Sequence, residues 1–242
     1  MFYWVCKYVL IGPWVWLLFR PKVEGLENIP TTGPAILASN HLSFSDSIFL
    51  PLVVRGRKVT FPAKAEYFNS PGIKGFFSKL FFSGVGQVPI DRSSGSAARS
   101  ALSTLERLLA DGDLVGIYPE GTRSPDGRLY RGKTGVARLA LQTGAVVVPC
   151  AMLNTNEIQP PGTVRPRIKR VRMKIGRPLD FSRYEGLAGD RFVERSMTDE
   201  IMYELMELSG QEYVDVYAAK VKAQAASAAP DPAPVPSGAA AA

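Results

Sequence analysis

Histidine and cysteine are scarce in this 242-residue chain: His41 is the single histidine, and Cys6 and Cys150 are the two cysteines. Zinc sites built from several histidines are thereby excluded. Both cysteines lie in apolar runs, which argues against a disulfide framework or a thiolate metal site and for a reducing, cytoplasmic-side environment. Any imidazole chemistry near neutral pH falls to His41, since histidine alone has an unperturbed pKa, about 6.5, in that range. The chain also lacks a charge excess strong enough to name a partner. Its 29 Lys and Arg against 22 Asp and Glu leave a net charge of +7. That suits nucleic acid, anionic lipid or a phosphorylated ligand equally. Internal repeats are missing, and so is the uninterrupted apolar run of about 20 residues that an ordinary spanning helix needs.

What comes nearest to such a run is residues 1–19, rich in aromatics: Phe2, Tyr3, Trp4, Tyr8, Trp14, Trp16 and Phe19. Lys7 interrupts it, and Gly12-Pro13 breaks or kinks any helix near its middle. A signal peptide would need a basic leading region and a small-residue cleavage site, and neither is there. With Lys7, Arg20 and Lys22 beside the aromatics, the segment reads as lying in, or dipping into, a bilayer interface. A spanning helix and a buried core helix are the alternatives. A hydrophobic share of 46% and a charged share of 21% describe one substantial folded domain. The expected organisation is a membrane-associating segment at residues 1–21, a domain at 22–224 and an Ala/Pro-rich disordered tail at 225–242.

From residue 35 strands and helices alternate. Strands are expected at Ala35–Ser39, Lys58–Ala63, Val85–Ile90, Leu114–Tyr118 and Ala145–Met152. Helices are expected at Asp46–Val54, capped by Ser43 or Ser45, and at Pro71–Phe82, Ala98–Ala110 and Lys133–Gln142. Val171, Met173 and Ile175 alternate with Arg170, Arg172 and Lys174, the pattern of a half-exposed strand. Two helices, Arg191–Leu208 and Glu212–Gln224, should follow. Such alternation predicts an α/β fold, a mostly parallel central sheet flanked by helices, with the apolar helical segment at the N-terminus. Pro71–Phe82 carries Ile73, Phe76, Phe77, Leu80, Phe81 and Phe82 with Lys74 and Lys79 among them. Lysines that can snorkel suit this helix to a membrane interface, and a core helix is the alternative.

Two segments carry chemistry. In Ser39-Asn40-His41-Leu42-Ser43-Phe44-Ser45-Asp46 the histidine follows a strand and the aspartate falls in the first turn of the next helix. There the carboxylate can reach back to the imidazole and hold one tautomer, leaving the other nitrogen to take a proton. A substrate that brings its own hydroxyl makes a Ser or Cys nucleophile unnecessary. A satisfied polar histidine beside a turn is the plainer reading. The second segment, Tyr118-Pro119-Glu120-Gly121-Thr122-Arg123-Ser124, follows a strand and precedes Arg128, Arg131 and Lys133. Loops at the carboxyl ends of parallel strands are where such folds bind ligands. Gly121 permits close backbone approach, Thr122 can donate a hydrogen bond, and Arg123 matches a phosphate in bidentate fashion. Glu120 is suited to a substrate hydroxyl or to holding Arg123. A structural turn braced by a salt bridge is the alternative.

Together these segments resemble the glycerolipid acyltransferase family typified by 1-acylglycerol-3-phosphate acyltransferase. Its Asn-His-x4-Asp block is matched by Asn40, His41 and Asp46. Its hydrophobic-Asp-Arg block is matched by Val88-Pro89-Ile90-Asp91-Arg92, its Pro-Glu-Gly-Thr-Arg-Ser run by Pro119–Ser124, and its hydrophobic strand ending in proline by Val146–Pro149. The blocks occur in order across about residues 22–180, with Pro89 standing where the family more often has an aromatic residue.

The resemblance implies transfer of a fatty acyl group from an acyl thioester to the free hydroxyl of lysophosphatidic acid, giving phosphatidic acid. His41 would be the general base and Asp46 its orienting partner. Arg92 and Arg123 would hold the phosphate, joined by Lys64, with Glu120, Gly121 and Thr122 completing the substrate site; an exposed surface charge is the alternative for each of the three basic residues. Amides around Gly121 would stabilise the oxyanion, and Val148 and Pro149 would line the acyl or thioester site, a plain core strand being the alternative for these two. No metal or resident cofactor is required; acyl-coenzyme A or acyl carrier protein serves as co-substrate. The implied setting is the cytoplasmic side of the cell membrane, bound peripherally or monotopically, with no nucleic-acid partner. Glycerol 3-phosphate or another lysophospholipid is an alternative acceptor. A non-catalytic basic module, suggested by Arg165, Arg167, Lys169, Arg170, Arg172 and Lys174, is the alternative of a different class, though it lacks the aromatic platform that single-strand binders use.

Overall fold

The computed structural model describes residues 1–90, 95–160, 163 and 165–228. The apolar start is helical in three pieces: α1 (Phe2–Val5), a π-helical turn at Cys6–Leu10, and α2 (Gly12–Phe19). Then come β1 (Lys22–Glu24), β2 (Ala35–Ser39), α3 (Asp46–Val53), β3 (Val59–Lys64), α4 (Glu66–Asn69), α5 (Gly72–Gly84) and β4 (Gln87–Ile90). The middle comprises α6 (Gly95–Ala110), β5 (Leu114–Ile117), β6 (Leu129–Tyr130), α7 (Gly135–Thr143) and β7 (Val146–Leu153). The chain closes with α8 (Thr155–Ile158), β8 (Arg172–Ile175), α9 (Arg191–Ser209), β9 (Tyr213–Val214) and α10 (Ala218–Ala228).

The main sheet runs β1-β8-β7-β2-β5-β3-β4, parallel throughout except for the β7–β8 pair. Strand β2 is apolar along most of its length and wholly buried because helices cover both faces of the sheet. One face packs Val15 and Phe19 of α2 and Phe49 and Leu50 of α3 against the sheet; the other packs α6, α7 and α9. Each fully buried aliphatic of β2, Ile36 and Leu37, stabilises the fold by roughly 1.5–3 kcal/mol. The alternation of Val171, Met173 and Ile175 holds, with all three buried. Gly144, left-handed at φ 64°, ends α7 as a C′ glycine does.

Three local expectations change. Helix α3 receives no side-chain cap from Ser43 or Ser45, whose hydroxyls instead donate to the carbonyl oxygen and Oε1 of Gln159. The segment expected to be a helix from Glu212 opens with β9, which pairs with β6, and the helix begins at Ala218. Lys7 is not a headgroup-facing cation. It is buried among Tyr3, Trp4 and Tyr8, and its ammonium donates to the carbonyls of Pro51 (2.7 Å) and Val54 at the end of α3. A cation suits the electron-rich carbonyl end of a helix. The segment is thereby bolted to the domain while most of its aromatics and leucines stay exposed.

Candidate active site

Strands β2 and β5 run side by side in parallel, Ala38 opposite Ile117. Three residues beyond each partner lie His41 and Glu120, so the two loops singled out in the sequence emerge together at the carboxyl edge of the sheet. The loops are also hydrogen-bonded to each other. The Ser124 amide donates to the His41 carbonyl at 2.7 Å, and the His41 amide donates to Glu120 Oε1 at 3.0 Å.

His41 Nδ1 lies 3.1 Å from Asp46 Oδ2, with the imidazole 15% exposed and the carboxylate fully buried. Asp46 sits at the first position of α3, where the chain doubles back. Its Oδ2 also accepts the amides of Leu42 (2.8 Å) and Ser43 (2.7 Å). These local bonds fix the carboxylate independently of the histidine and lock the turn between them. Asp46 Oδ1 is buried with no hydrogen-bond partner among the described residues, leaving negative charge incompletely solvated beside the imidazole. The imidazole stacks on Tyr118, centroids 3.8 Å apart and planes 10° from parallel. The Tyr118 hydroxyl, 2.8 Å from Ser47 Oγ, is held well above its ordinary pKa by desolvation, with the Asp46 charge adding to the effect. Asn40, buried at the end of β2, spans to β7. Its Oδ1 accepts the Met152 amide at 2.7 Å, and its Nδ2 donates to Met152 O (3.0 Å) and Gln211 Oε1 (2.6 Å).

The Pro119–Ser124 loop differs from expectation at Glu120 and at Gly121. Glu120 is 1% exposed and forms no ion pair with Arg123, its Oε2 accepting the Tyr130 amide at 3.0 Å while Oε1 takes that of His41. It braces β6 against the histidine loop. Burial pushes its carboxyl up to about 7, against the pull of those two amides. Gly121 is left-handed at φ 73°, and its amide closes the turn onto Tyr118 O, so it is not a donor available to an oxyanion. The amides of Thr122 and Arg123 donate to no acceptor among the described residues. The Arg123 side chain is partly exposed and makes no ion pair among them.

Lys64 stands at the same sheet edge, at the end of β3, with its ammonium 3.7 Å from Glu66. Arg92 and the preceding Asp91 lie outside the described residues. Val148 and Pro149 are buried mid-strand in β7, Pro149 opposite Ala38, and serve the core. Among the described residues no three His, Cys, Asp or Glu side chains converge as metal ligands would.

Two neighbours escaped the sequence reading. Tyr118 was visible only as the last residue of a strand. Lys222, from α10, donates to Thr122 Oγ1 at 3.0 Å and to the Arg123 carbonyl. Nothing in the local sequence around residue 222 signals a partner 100 positions away.

Residues 20–153 match the family model described as Acyltransferase. The chain is 35% identical over 150 residues to "1-acyl-sn-glycerol-3-phosphate acyltransferase LPAT1, chloroplastic" of Arabidopsis thaliana, covering 62% of this chain and 40% of that protein. It is 29% identical over 193 residues to the 1-acyl-sn-glycerol-3-phosphate acyltransferase of Bacillus subtilis, covering 78% of this chain and 88% of that one. The chain spans about two fifths of the length of the two chloroplastic relatives, that of Arabidopsis thaliana and that of Brassica napus. The crystal structure of PlsC, the 1-acyl-sn-glycerophosphate acyltransferase of Thermotoga maritima, superposes with a TM-score of 0.61 at 26% identity, covering 86% of this chain and 81% of that one.

Proposed function

The chain belongs to the acyltransferase family, and we propose that it transfers a fatty acyl group from an acyl thioester to the free hydroxyl of 1-acylglycerol 3-phosphate, giving phosphatidic acid. One observation carries the reading. A buried carboxylate holds Nδ1 of the sole histidine at 3.1 Å, and the backbone of that histidine is tied at 2.7 Å to the end of the loop bearing Arg123.

In the proposed mechanism His41 Nε2 removes the proton of the acceptor hydroxyl as its oxygen attacks the thioester carbonyl. Asp46 keeps the ring in the tautomer with the proton on Nδ1 and stabilises the imidazolium that forms. The Tyr118 ring beneath limits tilting of the imidazole. The tetrahedral oxyanion is met by the amides of Thr122 and Arg123. Its collapse breaks the C–S bond, and the imidazolium returns the proton to the leaving thiolate. Arg123, with Lys64 and Arg92, holds the acceptor phosphate. No resident cofactor takes part; acyl-coenzyme A or acyl carrier protein supplies the acyl group.

The acceptor is a lipid, and we place the site at the cytoplasmic surface of the cell membrane, bound peripherally or monotopically. In support, α5 exposes Ile73, Phe76 and Phe77 at 78%, 63% and 62%, against a core-helix reading. Its end packs on the N-terminal segment, where Gly84 lies against Phe2 of α1 and Cys6 of the π-helical turn. The N-terminal segment adds exposed Tyr8, Trp14, Trp16 and Leu17. It is also the one described helical stretch apolar and long enough to cross a membrane, by composition and length alone. Large apolar faces of this kind mark membrane or partner contacts.

The test is a panel of lysophosphatidic acid, glycerol 3-phosphate and zwitterionic lysophospholipid with one acyl donor, products read by mass spectrometry. Phosphatidic acid should dominate. A product only from glycerol 3-phosphate would move the assignment to that acceptor, and no acylated product from any acceptor would end it.

A further inference from the structure

Helix α10 lies beyond the residues matched by the family model, and the fold returns it to the active-site edge. Strand β9 pairs with β6, Gln211 Nε2 donates to Gly127 O while its Oε1 accepts from Asn40, and Tyr217 packs against the Arg131 guanidinium. These contacts fix where α10 begins, and its Lys222 ends on the Thr122–Arg123 turn.

The charges around that turn are unbalanced. Lys222 grips Thr122 Oγ1 and the Arg123 carbonyl from one side. On another, the Lys133 side chain lies over Gly121, close enough that a Cβ on this glycine would sit 3.1 Å from Lys133 Nζ. The Arg123 guanidinium is near enough for its charge to work against protonation of Lys222, after the larger effect of desolvation. Glu120 is the acidic group facing Lys222, but it is buried beneath with both oxygens engaged by main-chain amides. Basic residues a few positions along are neutralised: Arg128 by Asp126 and Glu212, Arg131 by Asp215. None of Arg123, Lys133 and Lys222 forms an ion pair among the described residues. Three cations gathered on one turn without a paired carboxylate repel one another, and a bound anion relieves that repulsion.

We propose that Lys222 is a substrate-binding residue of the transferase, completing with Arg123 and Lys133 a site for a phosphate monoester. The proposal rests on the acyl-transfer reading above and adds to it a ligand from the C-terminal helix. Two of the three ammonium protons already have acceptors in Thr122 Oγ1 and Arg123 O, so Lys222 also holds the turn in shape for the phosphate. Both substrates of the reaction can carry such a group, lysophosphatidic acid as its headgroup and acyl-coenzyme A on its ribose, and separate titrations assign the source.

The experiment uses the full chain with Lys222→Gln, Lys222→Arg and, as control, Lys220→Gln on the exposed face of the same helix. Circular dichroism confirms folding, and initial rates are fitted with each substrate varied in turn. Loss of one charge-assisted phosphate contact raises KM by about tenfold or more. A rise confined to lysophosphatidic acid assigns the acceptor headgroup; a rise confined to acyl-coenzyme A assigns the donor phosphate. In either case Lys222→Arg recovers most of the affinity and Lys220→Gln matches the wild type. Both KM values within twofold of wild type, or a fall in kcat alone, overturns the proposal, since a purely structural latch would give that result. An inactive wild type would instead refute the acyl-transfer reading, so the two failures are distinguishable.

Discussion

Replacing Asp46 by asparagine isolates what the carboxylate charge does for His41. The change is nearly isosteric, and the amide oxygen can still accept the amides of Leu42 and Ser43 that lock the turn. What disappears is a negative charge 3.1 Å from Nδ1. At that distance, with an effective dielectric of about 20, a carboxylate stabilises an imidazolium by about 5 kcal/mol. Partial solvent access to the ring reduces this to about 4 kcal/mol, or about a thousandfold in rate. The expected outcome is a kcat about a thousandfold down for Asp46→Asn, KM for either substrate little changed, and the circular dichroism spectrum retained. The double variant Asp46→Asn/His41→Ala should be no slower than His41→Ala alone, because the aspartate acts through the imidazole. A folded Asp46→Asn enzyme within tenfold of wild-type kcat would refute this role.

Glu120 predicts a pH-dependent stability. Burial raises its carboxyl from an ordinary 4.5 to about 7, so the folded chain holds this proton more tightly than the unfolded chain. Its contribution is full below pH 4.5, is lost as pH rises to about 7, and is flat above; it amounts to about 3 kcal/mol. The difference in melting temperature between wild type and Glu120→Gln should change across that window, and a constant difference from pH 4.5 to 8 would contradict it. At the membrane face, Phe76→Ser/Phe77→Ser should weaken binding to anionic vesicles at least tenfold, at roughly 1.5–3 kcal/mol per inserted ring, without lowering the melting temperature. Unchanged sedimentation with vesicles would remove α5 from the docking face.

The strand–helix alternation was legible because its signals are local. Ala35–Ser39 is a buried apolar run that could only be a central strand, and α9 shows its apolar spacing over a long stretch. The His41–Asp46 pair was legible for the same reason: the chain reverses within a few residues and brings the two side chains together. Glu120 was misread because its role depends on two amides, His41 and Tyr130, that only the β2–β5 pairing and the return through β6 place beside it. The burial of Lys7, grouped in the sequence with Arg20 and Lys22 beside the aromatics, was not legible because the carbonyls that receive it, Pro51 and Val54, lie more than forty positions on, as the separations of 44 and 47 show. Lys222 and the antiparallel β8 belong with these. Each depends on a tertiary neighbour, and local pattern is silent about which one the fold will supply.

The proposed reaction depends on one imidazole taking a proton from a lipid alcohol. The most direct test is single-turnover acyl transfer to lysophosphatidic acid by His41→Ala against wild type, with folding and vesicle binding checked in the same preparations. Acyl transfer should fall to the uncatalysed background while both controls are preserved. A folded, membrane-bound His41→Ala protein that still forms phosphatidic acid at a substantial fraction of the wild-type rate would show that another group removes the proton.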